Sequence, residues 1–461
     1  MSDRKDVVVI GGGSGGFAAA IRAAQLGGHV AVVEEAHLGG NCMHQACIPL
    51  TFLMRVVGLV DAASELTSLG IFRERPDVDL DAIHARKGLI IDLLRMGTEE
   101  QLADYGVEVI KGRGRLADGN TVVAGDRIVS AEKVIIATGS VSGTLPVEGG
   151  DLPGVISTRE AVNLREIPPS LAVVGTNPWE IELAQYFNAL GSAVTLIAEN
   201  GRLLPLADRE ISQRVAKLLH DSGVDVRRGA GVTAIQADEV GGLRVSLADG
   251  ESVVVERVLA SPRFPNSTGL GLRDVGVATE KGGIEVNRRM ETAVPGVYAI
   301  GDVTHGPMWS HKANAEGLVA AENAMGLGGR KPREIDYGTL PQCLHTHPEV
   351  AWVGLTDDEA RERGLEVRVG KVPVAINPQA TILGQTSGAI KIVSGRYGKV
   401  LGVHMMAPGA LDLINAAAVA MKSEATIREL MDLVPAHPSM GEALVDAAMD
   451  VEGRSLHLPK W

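Results

Sequence analysis

Val7-Val8-Val9-Ile10-Gly11-Gly12-Gly13-Ser14-Gly15-Gly16 is the stretch that decides how this chain begins to fold. Four β-branched apolar residues suit a buried strand, and the glycines follow it without an intervening polar segment. A helical pattern over Gly15–Gly27 and a second apolar run, Val30–Val33, complete a βαβ unit that ends at Glu34. In such a unit Gly11 makes the tight turn, Gly13 lets backbone approach a pyrophosphate, and Gly16 allows the helix to pack closely on the strand. Glu34 stands 23 residues after Gly11, where a carboxylate can accept ribose hydroxyls. Loop, strand and acid together indicate a dinucleotide site.

The next segment, Gly39-Gly40-Asn41-Cys42-Met43-His44-Gln45-Ala46-Cys47-Ile48-Pro49, places two cysteines five positions apart. On a regular helix that spacing means roughly 7.5 Å of rise and about 140° of rotation, beyond easy disulfide reach. A bridge between Cys42 and Cys47 therefore requires a distorted first turn, which Pro49 assists by removing a backbone donor. Strain of that kind makes a disulfide easier to reduce. A redox-active pair following an FAD-type fingerprint points to a flavoprotein that exchanges electrons with a disulfide; two buried structural thiols are the alternative.

At 461 residues the chain should hold two to four domains. Its 56 glycines, 3% aromatic residues and net charge of −13 describe a globular α/β protein and argue against nucleic acid or an anionic membrane as the main partner. Three cysteines cannot build a secreted disulfide framework. The apolar run Val7–Ile10 is too short for a signal core, and no stretch reads as an uninterrupted membrane span. A cytoplasmic location is expected, without membrane or metal.

Strand and helix patterns alternate onward: a helix from about Leu80 to Tyr105, and strands near Val107–Ile110, Val122–Val123 and Lys133–Ala137. The last strand runs into Thr138-Gly139-Ser140, a turn that lets backbone approach a ligand. A second βαβ pattern follows: Leu171–Val174, a helix over Trp179–Leu190, and Val194–Ile197. Val297–Ile300 leads to Gly301-Asp302, then a helix over Ser310–Met325. From about Gly338 the strands Val350–Val353, Ala389–Val393 and Val400–His404 and the helices Ala410–Lys422 and Thr426–Leu433 form a separate α+β unit.

These blocks resemble, over essentially the whole chain, the FAD-dependent pyridine nucleotide–disulfide oxidoreductases, and most of all the dihydrolipoamide dehydrogenases. Gly-Gly-x-Cys-x4-Cys-Ile-Pro, Ala137-Thr138-Gly139-Ser140, Gly301-Asp302 with Gly306-Pro307-Met308 and His311-Lys312, and His437-Pro438 with Glu442 occur in family order. The resemblance implies two Rossmann-like dinucleotide-binding domains plus a C-terminal α+β dimerisation domain. The divisions would be an FAD domain (1–148), a nucleotide domain (149–268), a return to FAD contacts (269–337) and an interface domain (338–461). It implies that Cys42 exchanges with the dithiol substrate and that Cys47 lies against the flavin as the charge-transfer thiolate. Gly40, Gly114, Thr138, Gly139, Ser140, Gly301, Asp302, Met308 and His311 would line FAD, Asp302 on the ribityl chain. His437, reaching the other subunit of an obligate homodimer, would be the general acid–base, oriented by Glu442. The substrate would be a dithiol such as lipoyl on a carrier protein. Mercuric reductase is disfavoured, since no C-terminal cysteine pair follows.

The second unit departs from the family. Gly175-Thr176-Asn177-Pro178-Trp179-Glu180-Ile181-Glu182 replaces the glycine fingerprint, with Asn177 at the second glycine and Glu180 at the third. Glu180 would bring bulk and negative charge toward the phosphates. Ala198 stands at the ribose carboxylate, with Glu199 adjacent, and Ser261-Pro262-Arg263-Phe264-Pro265-Asn266 replaces the usual Gly-Arg-Arg-Pro-Asn turn. An altered or lost NAD(P) site follows, and with it a protein electron partner such as a ferredoxin or second flavoprotein. An ordinary NAD-linked dihydrolipoamide dehydrogenase is the alternative, and a flavin-binding scaffold without turnover is a third class. Trp179 could cover the flavin or pack the core. Thr51 replaces a family lysine that pairs with the glutamate matched by Glu182, so the flavin potential should fall unless another cation substitutes. His44 and Gln45 are unusual within the cysteine loop: an imidazolium there could lower a thiol pKa, or the side chain could point to solvent. Cys343 reads as a small buried apolar residue.

Overall fold

The computed structural model describes residues 4–74, 76–239, 241–326 and 331–459. Strand Arg4–Ile10 lies in the middle of a seven-stranded sheet, with Val30–Glu34 and Glu108–Lys111 on one side and Arg127–Ile136 on the other. These neighbours run parallel, in the register Val7↔Val30 and Val7↔Lys133. Val7, Val8 and Val9 are fully buried, which is why the strand reads as a continuous apolar run instead of an alternating one. Burying each such side chain stabilises the fold by about 1.5–3 kcal/mol. Strand Arg127–Ile136 is longer than its sequence pattern indicates. Its first half pairs antiparallel with Thr121–Ala124, and its last residues pair with Val297–Ala299.

Helix Ser14–Gln25 packs against helix Ser310–Met325. A Cβ at Gly15 would lie 2.9 Å from the Ala313 carbonyl oxygen, and one at Gly317 only 2.5 Å from that of Gly15. Glycine on both surfaces brings the two helix N-termini together, and the Ser310 hydroxyl donates to Ser14 at 2.7 Å.

The second βαβ pattern is a parallel sheet ordered Asp225–Arg228, Ala193–Ala198, Ser170–Val174, Arg257–Ala260, Val155–Ile156. A three-stranded antiparallel sheet over residues 232–255, absent from the sequence reading, is attached to it. The C-terminal unit is a five-stranded antiparallel sheet, Gln342–Leu344, Val350–Gly354, Val400–Met406, Ala389–Ser394, Arg368–Pro373. Helices Ala410–Lys422 and Gly441–Asp450 pack on it. Helix Ile427–Met431 is shorter than the Thr426–Leu433 pattern; its start is fixed by a capping box in which Thr426 and Glu429 satisfy each other's backbone donors.

The cysteine segment also differs from a simple reading. Within residues 40–68 an 18-residue window reaches a mean hydropathy of 1.7, apolar enough to span a bilayer by length and composition alone. Here these residues form two helices, Gly40–His44 and Cys47–Ser68, and Leu50, Leu53, Met54 and Val57 enter the same core as the second βαβ unit.

Candidate functional site

The first glycine loop is an open cradle. Gly11 has φ +107°, and a Cβ there would meet the Ala137 carbonyl oxygen at 2.3 Å. At Gly16 it would meet the Gly11 oxygen at 1.9 Å, so helix and strand approach to a distance only glycine permits. Gly13 caps the helix with no side chain of its own, and a Cβ on it would find only Gly40 Cα, 3.8 Å away. Glu34 is locked at the loop's edge, accepting from Gly12 N at 2.7 Å and Ala36 N at 2.7 Å. A bare helix N-terminus beside a fixed carboxylate suits the diphosphate and ribose of FAD. Gly114 has a packing reason instead: a Cβ there would strike Ile10 Cγ2 at 2.7 Å.

Cys42 lies in the short helix and Cys47 starts the long one, with the break at Gln45 and Ala46. The distortion thus takes the form of a complete interruption. Both thiols are free, and Cys47 donates to Cys42. That hydrogen bond, then those from Ser310 and Ser14, bring the Cys42 pKa down to about 6 against burial and the Asp302 charge. Cys47 is pushed well above a normal thiol by the same bond, by burial, and by the charges of Cys42 and Glu182. In the free-thiol pair the shared hydrogen bond and burial thus favour ionisation of Cys42 over Cys47. His44 turns back to the loop, its Nε2 2.8 Å from the Leu38 carbonyl oxygen, with its ring 5.4 Å from that of His37.

Asp302 sits beside this pair. Its Oδ2 accepts from Ser140 Oγ at 2.6 Å and lies 3.4 Å from the Arg263 guanidinium. Asn41 Nδ2 donates to the Ser140 carbonyl at 2.6 Å, tying the cysteine loop to the Thr138–Ser140 turn. Thr138 Oγ1 donates to Asn266 O at 2.7 Å, and Gly139 faces open space. Gly301 N donates to the buried Glu316. Met308 and His311 flank the start of helix Ser310–Met325; His311 is fixed on the Pro341 carbonyl at 2.7 Å, and burial lowers its pKa. Trp179 packs against the core, and Arg263 lies 5.7 Å from its ring centroid.

The second cradle is filled by its own chain. Gly175, at φ +135°, has the Glu180 carboxyl carbon 2.8 Å from where a Cβ would project. Glu180 accepts from Asn177 N at 2.9 Å in a capping box, and Pro178 at the first helical position has no N–H to offer. Glu180 is 2% exposed, and burial raises its pKa to about 8. Burial thus favours the neutral carboxyl over the expected phosphate-repelling charge, and the side chain occupies space and a backbone donor in the turn. Ala198 is fully buried, while Glu199 packs over Gly231.

In the C-terminal unit His437 Nδ1 lies 2.9 Å from Glu442 Oε1, whose other oxygen accepts from Ser439 N at 2.9 Å. The His437 side chain is 71% exposed, so the dyad is assembled yet faces outward. The His437 contact, then the Ser439 N–H, lowers the Glu442 pKa. One helical turn on, Asp446 holds His457 at 2.6 Å, a pair the sequence reading missed.

The reading also missed the partner of Glu182. His345 N donates to Glu182 Oε1 at 2.6 Å, and His345 Nδ1 lies 3.4 Å from the same oxygen. Burial, then Glu182 and Glu349, push the Cys343 thiol up to about 12. Among the described residues no cluster of three or more His, Cys, Asp or Glu is placed to hold a metal ion.

Residues 5–317 match the pyridine nucleotide-disulphide oxidoreductase family, and residues 340–448 match the dimerisation domain of the same family. The chain is 38% identical to a dihydrolipoyl dehydrogenase of Thermus scotoductus, over 98% of each protein. It is 35% identical to that of Bacillus subtilis, over 99% of this chain and all of the relative. Among solved structures, the HOCl-induced flavoprotein disulfide reductase RclA of Escherichia coli, as its Cu(II) complex, superposes with a TM-score of 0.86 at 27% identity, covering 96% of this chain and 99% of that one. LpdA of Mycobacterium tuberculosis gives 0.88 at 27% identity, covering 97% and 99%.

Proposed function

The chain belongs to the pyridine nucleotide-disulphide oxidoreductases, and on that premise we propose that it moves two electrons between a dithiol and FAD through Cys42 and Cys47, with an electron partner other than NAD(H). The family is flavin-dependent and its dimerisation domain makes the protein a homodimer. The observation that carries the reading is the Cys42–Cys47 pair, split across two helices and seated beside an open dinucleotide cradle. The filled second cradle supports the change of electron partner.

FAD would be held by Gly11, Gly13, Gly16, Glu34, Gly40 and the Thr138–Ser140 and Gly301–His311 segments, and supplies a two-electron acceptor for the reduced pair. Gly114, packed against Ile10 and Val33, stays outside this set. Residues 1–148, 149–268, 269–337 and 338–461 form the FAD, altered nucleotide, central and interface regions, in a cytoplasmic enzyme. A substrate thiolate attacks Cys42 in the Cys42–Cys47 disulfide, and Cys47 leaves as thiolate. The second substrate thiol, deprotonated by His437 of the other subunit, attacks the first substrate sulfur and releases Cys42. Glu442 fixes the imidazole tautomer so that Nε2 faces the exchange. Lipoyl on a carrier protein, the substrate class named by the dihydrolipoyl dehydrogenase relatives, is the dithiol of this reading.

An NAD-linked dihydrolipoamide dehydrogenase is the second reading, favoured by the full-length similarity to such enzymes. The thiol assignment is tested by spectroscopy. Cys42→Ser should show a long-wavelength charge-transfer band without reductant, and Cys47→Ser should show none. Equivalent spectra from the two variants would reverse or void the roles.

A further inference from the structure

Glu182 is 5% exposed, and its helix, Pro178–Ala189, packs on the helix that begins with Cys47. Among the described residues its one ion-pair partner is His345. The geometry is prescribed, because Gln185, one turn further on, accepts from His347 N at 2.9 Å and donates to His347 O at 2.8 Å. That clamp fixes residues 345–347 against the helix. We propose that protonated His345, held on Glu182, sets the charge balance at Cys47 and so decides how readily the reduced pair places its thiolate there. The proposal rests on the reading of Cys42 and Cys47 as a redox pair.

When a dithiol reduces the disulfide, two electrons pass to the two sulfurs and the dithiol yields two protons. One proton stays with the cysteine pair and the other leaves through His437. A thiolate on Cys47 then lies within the field of the Glu182 carboxylate, which opposes its ionisation, on helices packed against each other. With His345 protonated, the three groups together carry one negative charge instead of two. The groups around His345 are consistent with a cation there: Glu182 from its helix, Glu349 just before the following strand, and Cys343 from the preceding one, with Asp412 behind Glu349 and His347 beyond. Burial opposes the imidazolium, but the hydrogen bond and charge of Glu182, with the charge of Glu349, raise its pKa overall. Burial, with the same carboxylates, keeps Cys343 a thiol, which leaves it outside the exchange.

The test uses the reduced full-length protein and brief iodoacetamide labelling, with Cys42 and Cys47 adducts counted separately by mass spectrometry across pH. His345→Gln should reduce the Cys47 share of labelling about tenfold, as expected for one nearby charge, whereas Glu182→Gln removes the carboxylate together with the cation it holds and should leave the share near that of the unaltered protein. The double variant should return close to the unaltered protein. In the unaltered protein the Cys47 share should fall as pH rises through the His345 titration, which keeps the test open if a variant fails to fold. A share unchanged in His345→Gln, or moved the same way by both single variants, overturns the proposal. A shifted share in a protein that never develops a charge-transfer band would keep this inference and remove the flavin reading.

Discussion

Two βαβ units in this chain share a strand–glycine–helix plan and differ in what occupies the turn. In the first, Gly13 and Gly16 leave the helix N-terminus bare, and Glu34 waits at its edge. In the second, Asn177 and Glu180 close a capping box over Gly175, and Pro178 removes a further donor. A phosphate site is an unsatisfied helix end; once the chain satisfies that end itself, the fold survives and the anion loses its place. On the proposed reading, the ligand would be lost here with no loss of structure.

The contrast is broken most severely by making the first turn imitate the second. Gly16→Glu would place a Cβ 1.9 Å from the Gly11 oxygen, so FAD affinity should fall by at least ~10²-fold, the effect of about 3 kcal/mol. Dialysis followed by flavin quantitation measures it; a fully yellow variant would show that the cradle does not hold the cofactor. Next in size, His437→Ala should slow dithiol turnover by roughly 10²–10⁴-fold with FAD retained, while Glu442→Gln costs less because the imidazole remains. A loss below about threefold would move thiol deprotonation to another group.

The reverse exchange should have a smaller effect. Asn177→Gly, Glu180→Gly and Ala198→Glu together reopen the second turn, and NADH affinity should rise by about tenfold or more. Calorimetric titration reads this directly, and no gain would mean that the domain has diverged beyond these positions. Smallest is the pH signature of the plug. The Glu180 pKa is raised by burial to about 8 in the fold, so its protonated form favours the native state. That contribution is complete below the normal glutamate range and is lost as pH rises through about 8. Glu180→Gln should therefore stabilise the protein at pH 8 relative to pH 5 by a few °C in Tm; equal Tm differences at the two pH values would place an ionised carboxylate in the turn.

The first unit was legible because its signals are local: a β-branched run, glycines at fixed offsets, and an acid at the end of the next strand. The break between Cys42 and Cys47 followed from helix geometry alone, although spacing did not reveal that the helix would split in two. Glu180 was legible as a bulky residue in the turn but not as a buried one whose neutral form is favoured, since burial is a property that no spacing records. His345 was invisible: it lies 163 residues from Glu182, and only the packing of the C-terminal sheet on the second unit joins them. The network of Arg263 with Asp302, Ser140 and Trp179 was hidden for the same reason, since its members come from four separate segments.

The central claim is that one cradle is open and the other closed, and anaerobic reduction of the bound flavin tests it most directly. Dihydrolipoamide and NADH are mixed in parallel with the purified dimer while flavin absorbance is followed. The account predicts that the dithiol reduces the flavin through the Cys42–Cys47 pair while micromolar NADH reduces it slowly or not at all. Rapid, saturable reduction by micromolar NADH would contradict it.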